Sequence, residues 1–98
     1  MIRRVVKMHF RLSEVENFSA LFHAKAKDIR AMPGCIHLEL WQDVSNPEIF
    51  FTYSLWEEID FLESYRASPL FKDVWSQTKL LFKEKPVAWS VNQLEVHA

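Results

Sequence analysis

The chain has 98 residues, the size of one domain, and 49% of them are hydrophobic while 26% are charged. These fractions are those of a globular protein, and they exclude a disordered, collagen-like or low-complexity chain. Twelve basic against thirteen acidic residues leave a net charge of -1, which argues against a nucleic-acid or anionic-membrane partner.

The chain also lacks the usual signals of export. Lys7 and His9 interrupt the apolar residues near the N-terminus, so this segment does not match a secretory signal peptide. No apolar run approaches membrane-spanning length. A single cysteine, Cys35, excludes an internal disulfide, and we therefore expect a protein of the reducing cytoplasm.

The first predicted element is a β-strand over residues 2–12, in which apolar and polar residues alternate with period two. Its apolar side carries one exception, Arg4. Ser13 and Glu16 then match a capping box, which predicts that a helix begins at Ser13. The apolar residues of this helix recur at three- and four-residue steps: Phe18, Leu21, Phe22, Ala26, Ile29 and Met32. Gly34, the only glycine, suits a left-handed cap at its end.

The middle of the chain reads as a β-hairpin. Residues 35–43 alternate again, and residues 45–47, Ser-Asn-Pro, supply the turn. Residues 48–55 are dominated by β-branched and aromatic types, which favour a strand. We therefore expect two antiparallel strands here.

A helical pair and a last strand are predicted after the hairpin. Ser54 and Glu57 form a second capping-box pattern, which predicts a helix beginning at Ser54. Ser68 precedes a proline, the typical start of another helix. Pro86 is expected to stop that helix, and the final strand continues from there towards Val96.

The order of elements is strand, helix, strand, strand, helical pair, strand. No repeat or linker divides the chain, so residues 1–98 form a single domain. Such a βαββαβ chain with right-handed crossovers predicts a ferredoxin-like α+β fold, a four-stranded antiparallel sheet with its helices on one face.

The other face of this sheet carries apolar bulk whichever way each strand is turned. The candidates are Val5 or Val6, Trp41 or Leu40, Phe50 or Phe51, Trp89, and Val91 or Ala88. A shared apolar face of this size favours a homodimer in which two sheets pack face to face. The alternative is a surface of scattered apolar residues among solvated charges.

The sequence offers no pattern for a metal or a nucleotide cofactor. The four histidines, His9, His23, His37 and His97, lack ligand spacing, and Cys35 has no second cysteine. A chain with one glycine cannot contain a phosphate-binding loop or a dinucleotide-binding fingerprint. We therefore expect neither a metal nor a cofactor.

The remaining candidate site is an aromatic cluster around the hairpin end and the helical pair. Its members are Tyr53, Trp56, Phe61, Tyr65, Phe71, Trp75 and Phe82, interleaved with Arg66. Rings at helical spacing are usually core. The alternative is a flat apolar pocket in which the Tyr65 hydroxyl, the Trp75 indole N–H and Arg66 orient a planar ligand.

Two segments, Thr-Tyr-Ser-Leu-Trp at residues 52–56 and the stretch at residues 61–72, resemble the antibiotic biosynthesis monooxygenase (ABM) domain family. The resemblance extends to Pro-Gly-Cys at residues 33–35 and covers essentially the whole chain. It implies a dimeric α+β barrel with a pocket between the sheet and the helical pair. The family includes cofactor-independent oxygenases of aromatic polyketides, haem-degrading enzymes and members without assigned chemistry.

The chain departs from the haem-degrading branch of that family. There, an Asn on the first strand, a Trp on the second helix and a His on the next helix carry catalysis. Here the first strand has no Asn, Tyr65 stands at the Trp position and Trp75 at the His position. The resemblance therefore does not extend to haem degradation.

The functional hypothesis is a cofactor-independent monooxygenase acting on a small planar aromatic or quinone-like molecule. Such an enzyme needs a group that helps to deprotonate the substrate, whose carbanion then reduces oxygen. The candidate catalytic residues are Tyr65, Arg66 and His9, with His37 as a further helper, and the candidate substrate contacts are Trp56, Tyr53, Phe71, Trp75 and Phe10. The alternative hypothesis is a non-catalytic dimeric ligand-binding or structural module of the same fold.

Overall fold

A computed structural model describes residues 1–98. Its strands are β1 (Ile2–Phe10), β2 (Cys35–Gln42), β3 (Ile49–Trp56) and β4 (Phe82–Val91), and its helices are α1 (Val15–Arg30), α2 (Ile59–Arg66) and α3 (Pro69–Thr78). The strands form one antiparallel sheet in the order β2-β3-β1-β4. This arrangement confirms the predicted ferredoxin-like α+β fold. No helix is long and apolar enough to cross a membrane.

Strand alternation decides what each face of the sheet carries. The even-numbered residues of β1 turn towards the helices, and Met8 and Phe10 are buried there, as the period-two pattern predicts. Two core clusters lie at opposite ends of the β1–β3 pair. One consists of Met8, Phe10, Phe18 and Phe50, and the other of Cys35, Trp56 and Leu62. The stretch of sheet between these clusters is therefore not filled by large side chains of the core.

The start of α1 differs from the prediction. Residues Leu12–Glu14 form a 3-10 turn, and the α-helix begins only at Val15. Ser13 lies inside that turn and caps nothing, while the Glu14 carboxylate accepts a hydrogen bond from Asn17 Nδ2 at 2.9 Å. The extra turn displaces the helix start past the predicted capping box, which is therefore wrong.

The second capping box is also wrong, because β3 continues through it. Ser54 is buried in the strand, and its Oγ accepts the indole N–H of Trp56 at 2.9 Å. Arg4 and Leu38 lie opposite Ser54 on the two neighbouring strands, so the backbone here belongs to the sheet ladder. The helix α2 begins later, at Ile59.

Two helix ends agree with the prediction. Ser68 Oγ accepts a hydrogen bond from the Phe71 backbone N–H at 3.1 Å, and Pro69 is the first residue of α3. Gly34 has φ of 79° after α1, the left-handed conformation expected for it. A side chain at this position would also collide with the ring of Phe61.

The last helix and strand have different bounds from those expected. α3 ends at Thr78 and β4 begins at Phe82, so Pro86 lies within the strand and does not stop the helix. β4 is an edge strand, and its register with β1 shifts between Lys7 and His9, close to Pro86. An irregular edge tolerates a residue without an N–H. β4 ends at Val91, so the predicted continuation to residue 96 is wrong.

The sheet face away from the helices is defined here as the open face. Its apolar residues are Val5, Trp41, Phe51, Tyr53, Leu55, Val87, Trp89 and Val91. The register settles the alternatives left by the sequence, because Val5, Tyr53 and Trp89 lie in one row across three strands. Trp89 is 45% exposed and Trp41 is 42% exposed.

Candidate functional site

A cavity of about 310 Å³ lies between the sheet and the helices. Thirteen of its nineteen lining residues are hydrophobic, which makes it an apolar chamber with few polar groups. The strands contribute Arg4, Val6, Met8, Leu38, Thr52, Ser54, Trp56, Pro86 and Ala88, and the helices contribute Phe18, Phe22, Ile29, Leu62, Tyr65, Arg66, Phe71, Val74, Trp75 and Thr78.

The cavity exists because the middle of the sheet carries small side chains. Val6 lies opposite Thr52 on β3 and Ala88 on β4. One row further, Ser54 faces the helices beside Arg4. The large rings of the two core clusters lie beyond these rows, so the helices rest on the ends of the sheet and leave its centre open.

Aromatic rings form one wall of this cavity. Trp56 and Tyr65 are stacked with centroids 5.2 Å apart, and Tyr65 meets Phe71 edge-on at 5.3 Å. Phe71 and Trp75 are almost parallel, at 8° and 5.9 Å. Trp56 is fully buried and its indole N–H already donates to Ser54, so Trp56 supports the wall from behind and offers the cavity no free donor. The wall is suited to stacking against another flat ring.

Tyr65 supplies a hydroxyl group to this wall. Burial raises the pKa of Tyr65 to about 12, and the nearby Cys35 adds a smaller effect in the same direction. The phenol therefore stays protonated at neutral pH. It can donate a hydrogen bond to a ligand, but it is not a base at neutral pH.

Arg4 and Arg66 are the only charged side chains that line the cavity. Arg4 Nη1 donates to the Ser90 hydroxyl at 3.0 Å, and Arg66 lies 3.6 Å from the Glu63 carboxylate. Burial lowers the pKa of Arg4, and the positive charge of Arg66 lowers it further, while Glu63 acts in the opposite direction. Sequence reasoning did not select Arg4 for the site. The sequence feature that could have identified Arg4 is its position as the one charged residue on the apolar side of β1.

Five of the predicted site residues meet in the cavity: Trp56, Tyr65, Arg66, Phe71 and Trp75. Their expected roles stay predictions. They converge because β3 ends at the start of the helical pair, which folds back over the sheet. The flat apolar pocket left open by the sequence therefore has a physical counterpart.

Two predicted residues lie on the opposite face of the sheet, because odd-numbered residues of β1 and β3 point away from the helices. His9 Nε2 is 2.8 Å from Glu48 Oε1. Tyr53 stacks on Trp41 with centroids 5.2 Å apart. His37 shares this face, where it contacts Glu39. The expectation that these residues join the pocket is corrected.

Phe10 and two rings of the aromatic cluster belong to the core. Phe10 is fully buried and stacks on Phe18 at 4.1 Å and on Phe82 at 5.2 Å. Phe61 packs with the second core cluster against Gly34. None of these three aromatic residues, Phe10, Phe61 and Phe82, lines the cavity, so the core interpretation holds for them.

No group of three or more His, Cys, Asp or Glu side chains is placed to hold a metal ion. Cys35 is buried in the second core cluster, and burial raises the pKa of its thiol. A buried thiol of this kind behaves as a small hydrophobic group.

Comparison with known proteins gives a family and a fold. The family model for antibiotic biosynthesis monooxygenase matches residues 1–76. Similar solved structures include a conserved protein from Methanosarcina mazei Go1, with 22% identity over 94% of this chain and 91% of that one and a TM-score of 0.89. Rv0793 from Mycobacterium tuberculosis has 16% identity over 99% of this chain and 98% of its own, with a TM-score of 0.89.

A third similar structure is SnoaB, a cofactor-independent oxygenase from Streptomyces nogalater. Its identity is 14% over 97% of this chain and 94% of its own, with a TM-score of 0.86. No curated protein matches the chain. At these identities the structural neighbours establish the fold alone.

Proposed function

The chain belongs to the antibiotic biosynthesis monooxygenase family, and from this premise we propose that it is a cofactor-independent monooxygenase of a small planar aromatic molecule. The observation that carries the proposal is the apolar cavity with its aromatic wall and its few polar groups. Similarity in fold to SnoaB supports the same class of reaction.

The shape and surface of the cavity favour a small flat ligand. A volume of about 310 Å³ is at the lower end of the range for ligand pockets, which suits a small ring system. Phe71 and Trp75, together with Tyr65, which stacks on the buried Trp56, present aromatic surface to that space. Each good aromatic stack contributes about 0.5–1.5 kcal/mol beyond the burial of area.

The proposed reaction converts a phenol with a free para carbon, together with O2, to a quinone and water. Loss of the phenol proton gives a phenolate, which passes one electron to O2, and the resulting radical and superoxide join at the para carbon. The peroxide takes up a proton, and its O–O bond breaks as the para C–H proton leaves. The products are a quinone carbonyl and one water, so four electrons pass from the substrate to O2.

The polar groups of the cavity suit the anionic stage of this reaction. The positive charge of Arg66 stabilises a phenolate, and the protonated Tyr65 hydroxyl can donate a hydrogen bond to its oxygen. No carboxylate, histidine or lysine lines the cavity. We therefore propose that water accepts the phenol proton. Arg66 and Tyr65 stabilise the phenolate and do not act as a base.

We also propose that two copies of the chain pair through the open face. Its rows bring Val5, Tyr53 and Trp89 together, and Trp41 stacks on Tyr53 beside them. Exposure of such an apolar face to water is unfavourable, and the same face of a second copy can bury it. The pairing leaves the cavity on the other side of the sheet accessible.

A non-catalytic binding module of the same fold is the second candidate. The observation that favours it is the absence of an ordinary general base among the residues lining the cavity. Both candidates predict that a flat phenol binds. Only the oxygenase predicts that the phenol is consumed together with O2.

The test measures binding and oxygen uptake with a panel of monocyclic and polycyclic phenols whose para carbon carries a hydrogen. We expect saturable quenching of tryptophan fluorescence, because Trp75 lines the cavity, and oxygen consumption that depends on enzyme and substrate. Tyr65→Phe removes one hydrogen-bond donor and should reduce turnover roughly tenfold or more. Tyr53→Phe is the matched control on the opposite face and should leave turnover unchanged.

The outcomes separate the two candidates. Saturable quenching without oxygen uptake across the panel would favour the binding module. A panel with neither signal would leave only the fold and the family.

A further inference from the structure

The cavity holds a positive charge that the protein does not neutralise. Arg4 projects from the centre of the sheet into a chamber whose lining is mostly hydrophobic. Its side-chain hydrogen bond goes to the neutral hydroxyl of Ser90, and no carboxylate lies within ion-pair distance of it. The side chain is half-buried, so its charge is partly desolvated, and an anionic group of a ligand would supply the opposite charge that the protein does not.

A second cation lies at the same end of the cavity. Arg66 is the last residue of α2 and lines the cavity next to Tyr65, which stacks on Trp56. Trp56 pairs with Ile2 across the sheet, and Arg4 is the next residue of β1 on the same face. The two guanidinium groups are close enough for the charge of Arg66 to disfavour the charge on Arg4.

The nearby acidic residue offsets only part of this charge. Glu63 lies 3.6 Å from Arg66 at the exposed surface and does not line the cavity. Two guanidinium groups and one carboxylate leave one net positive charge, and it is located on the cavity side. An anionic group of a ligand entering there would gain charge-assisted hydrogen bonds from Arg4 and Arg66.

We propose that Arg4 and Arg66 form a carboxylate-recognition end of the cavity and that the substrate is therefore a planar aromatic acid. The inference rests on the proposed function for the ring-binding part of the cavity and adds the charged group at its end. The ring lies along the aromatic wall, and the carboxylate accepts hydrogen bonds from the two guanidinium groups. Guanidinium suits this partner because its planar array of donors matches the two carboxylate oxygens.

The experiment compares three probes that share one ring system and carry a hydrogen on the carbon para to the hydroxyl: 1-hydroxy-2-naphthoate, its methyl ester and 1-naphthol. Calorimetric titration at neutral pH measures the binding of each to the wild-type protein. The acid should bind about tenfold or more tightly than the ester and the naphthol, because only the acid carries the anion. Its affinity should fall as salt is raised.

Variants at neighbouring positions separate recognition from structure. Arg4→Met keeps an apolar stem without the charge. It should lower the binding affinity for the acid about tenfold and change the affinity for naphthol by less than about threefold. Arg4→Lys keeps the charge and should recover part of the affinity for the acid. Arg3→Met is the matched control, since Arg3 points to the opposite face and donates to Gln93.

Each outcome supports or overturns the inference. If the three probes bind equally, or if Arg4→Met weakens acid and naphthol alike, Arg4 is only part of the cavity wall and the inference fails while the ring-binding function stands. Arg4-dependent binding of the acid without any oxygen uptake would support the inference and contradict the oxygenase. If no probe binds, both fail.

Discussion

Tyr65 illustrates how position decides the chemistry of a single side chain. Its ring stacks on Trp56 and meets Phe71 edge-on, so its hydroxyl is held in apolar surroundings. Those surroundings raise its pKa from 10.0 to about 12. Charge on the phenol is disfavoured, which makes Tyr65 a hydrogen-bond donor over the whole physiological range of pH.

A prediction about pH follows from this shift. Between about pH 10 and pH 12 the unfolded chain loses the Tyr65 proton while the folded chain retains it, so the stability that depends on this proton falls as pH rises. Relative to Tyr65→Phe, the wild type should lose about 1 kcal/mol more unfolding free energy between pH 9 and pH 11. Urea unfolding of both proteins at the two pH values measures the difference.

Comparing wild type and variant cancels the contributions of the lysines and of the one other tyrosine. A variant that loses as much stability as the wild type over this range would contradict the burial of the hydroxyl.

Sequence motifs at helix starts succeed or fail according to what surrounds them. Ser68 caps α3 because the chain turns freely between two helices and Pro69 sets the first helical residue. Ser13 carries the same local signal but lies in a 3-10 turn, and Ser54 is held in a central strand. Backbone pairing with neighbouring strands outweighs a local cap.

These differences predict the effect of removing each hydroxyl. Ser68→Ala should lower the unfolding free energy by about 0.5–2 kcal/mol, because the Phe71 N–H loses its acceptor. Ser13→Ala should change it by less than about 0.5 kcal/mol, because Ser13 makes no cap bond. Denaturant unfolding of the two variants measures both values. Equal losses would mean that Ser13 is a cap in solution.

At the scale of the whole molecule the two faces of one sheet have different consequences. The face towards the helices supplies the core clusters and the cavity, and the open face presents an unpaired apolar surface. Charged and polar residues lie among the rings of the open face: Arg3, Lys7, His37 and Glu39. A second copy would bury the rings and leave charges to pair around the edge of the contact.

Trp89→Glu is expected to prevent pairing of two chains. Trp89 lies on the open face, on the edge strand β4 and in the row of Val5 and Tyr53, so a carboxylate there would be buried without a partner in a dimer. The wild type should sediment as a dimer at micromolar concentration and the variant as a monomer or an aggregate. Leu80→Glu is the control, because Leu80 is exposed away from the sheet and should leave the mass unchanged. A wild-type monomer would contradict the proposed pairing.

The order and kind of the elements follow from local patterns in the amino-acid sequence. The signals are local, and each acts through neighbours within a few residues. They are the alternation over β1 and the hairpin, the helical spacing of α1, the glycine at position 34 and the cap at Ser68. The family resemblance rested on similar short segments, and the match over residues 1–76 confirms it. Five of the predicted site residues also followed, since they lie on one continuous stretch of chain.

Which face of the sheet each side chain joins depends on how the strands pair in the folded protein. Strand register couples residues far apart in sequence, and a shift of one position would exchange the two faces. Register places Tyr53 and His9 away from the cavity, brings Arg4 into it, and aligns Val6, Thr52 and Ala88 into the gap where the cavity lies. No local pattern carries that information, because the cavity depends on small residues from three strands meeting in one row.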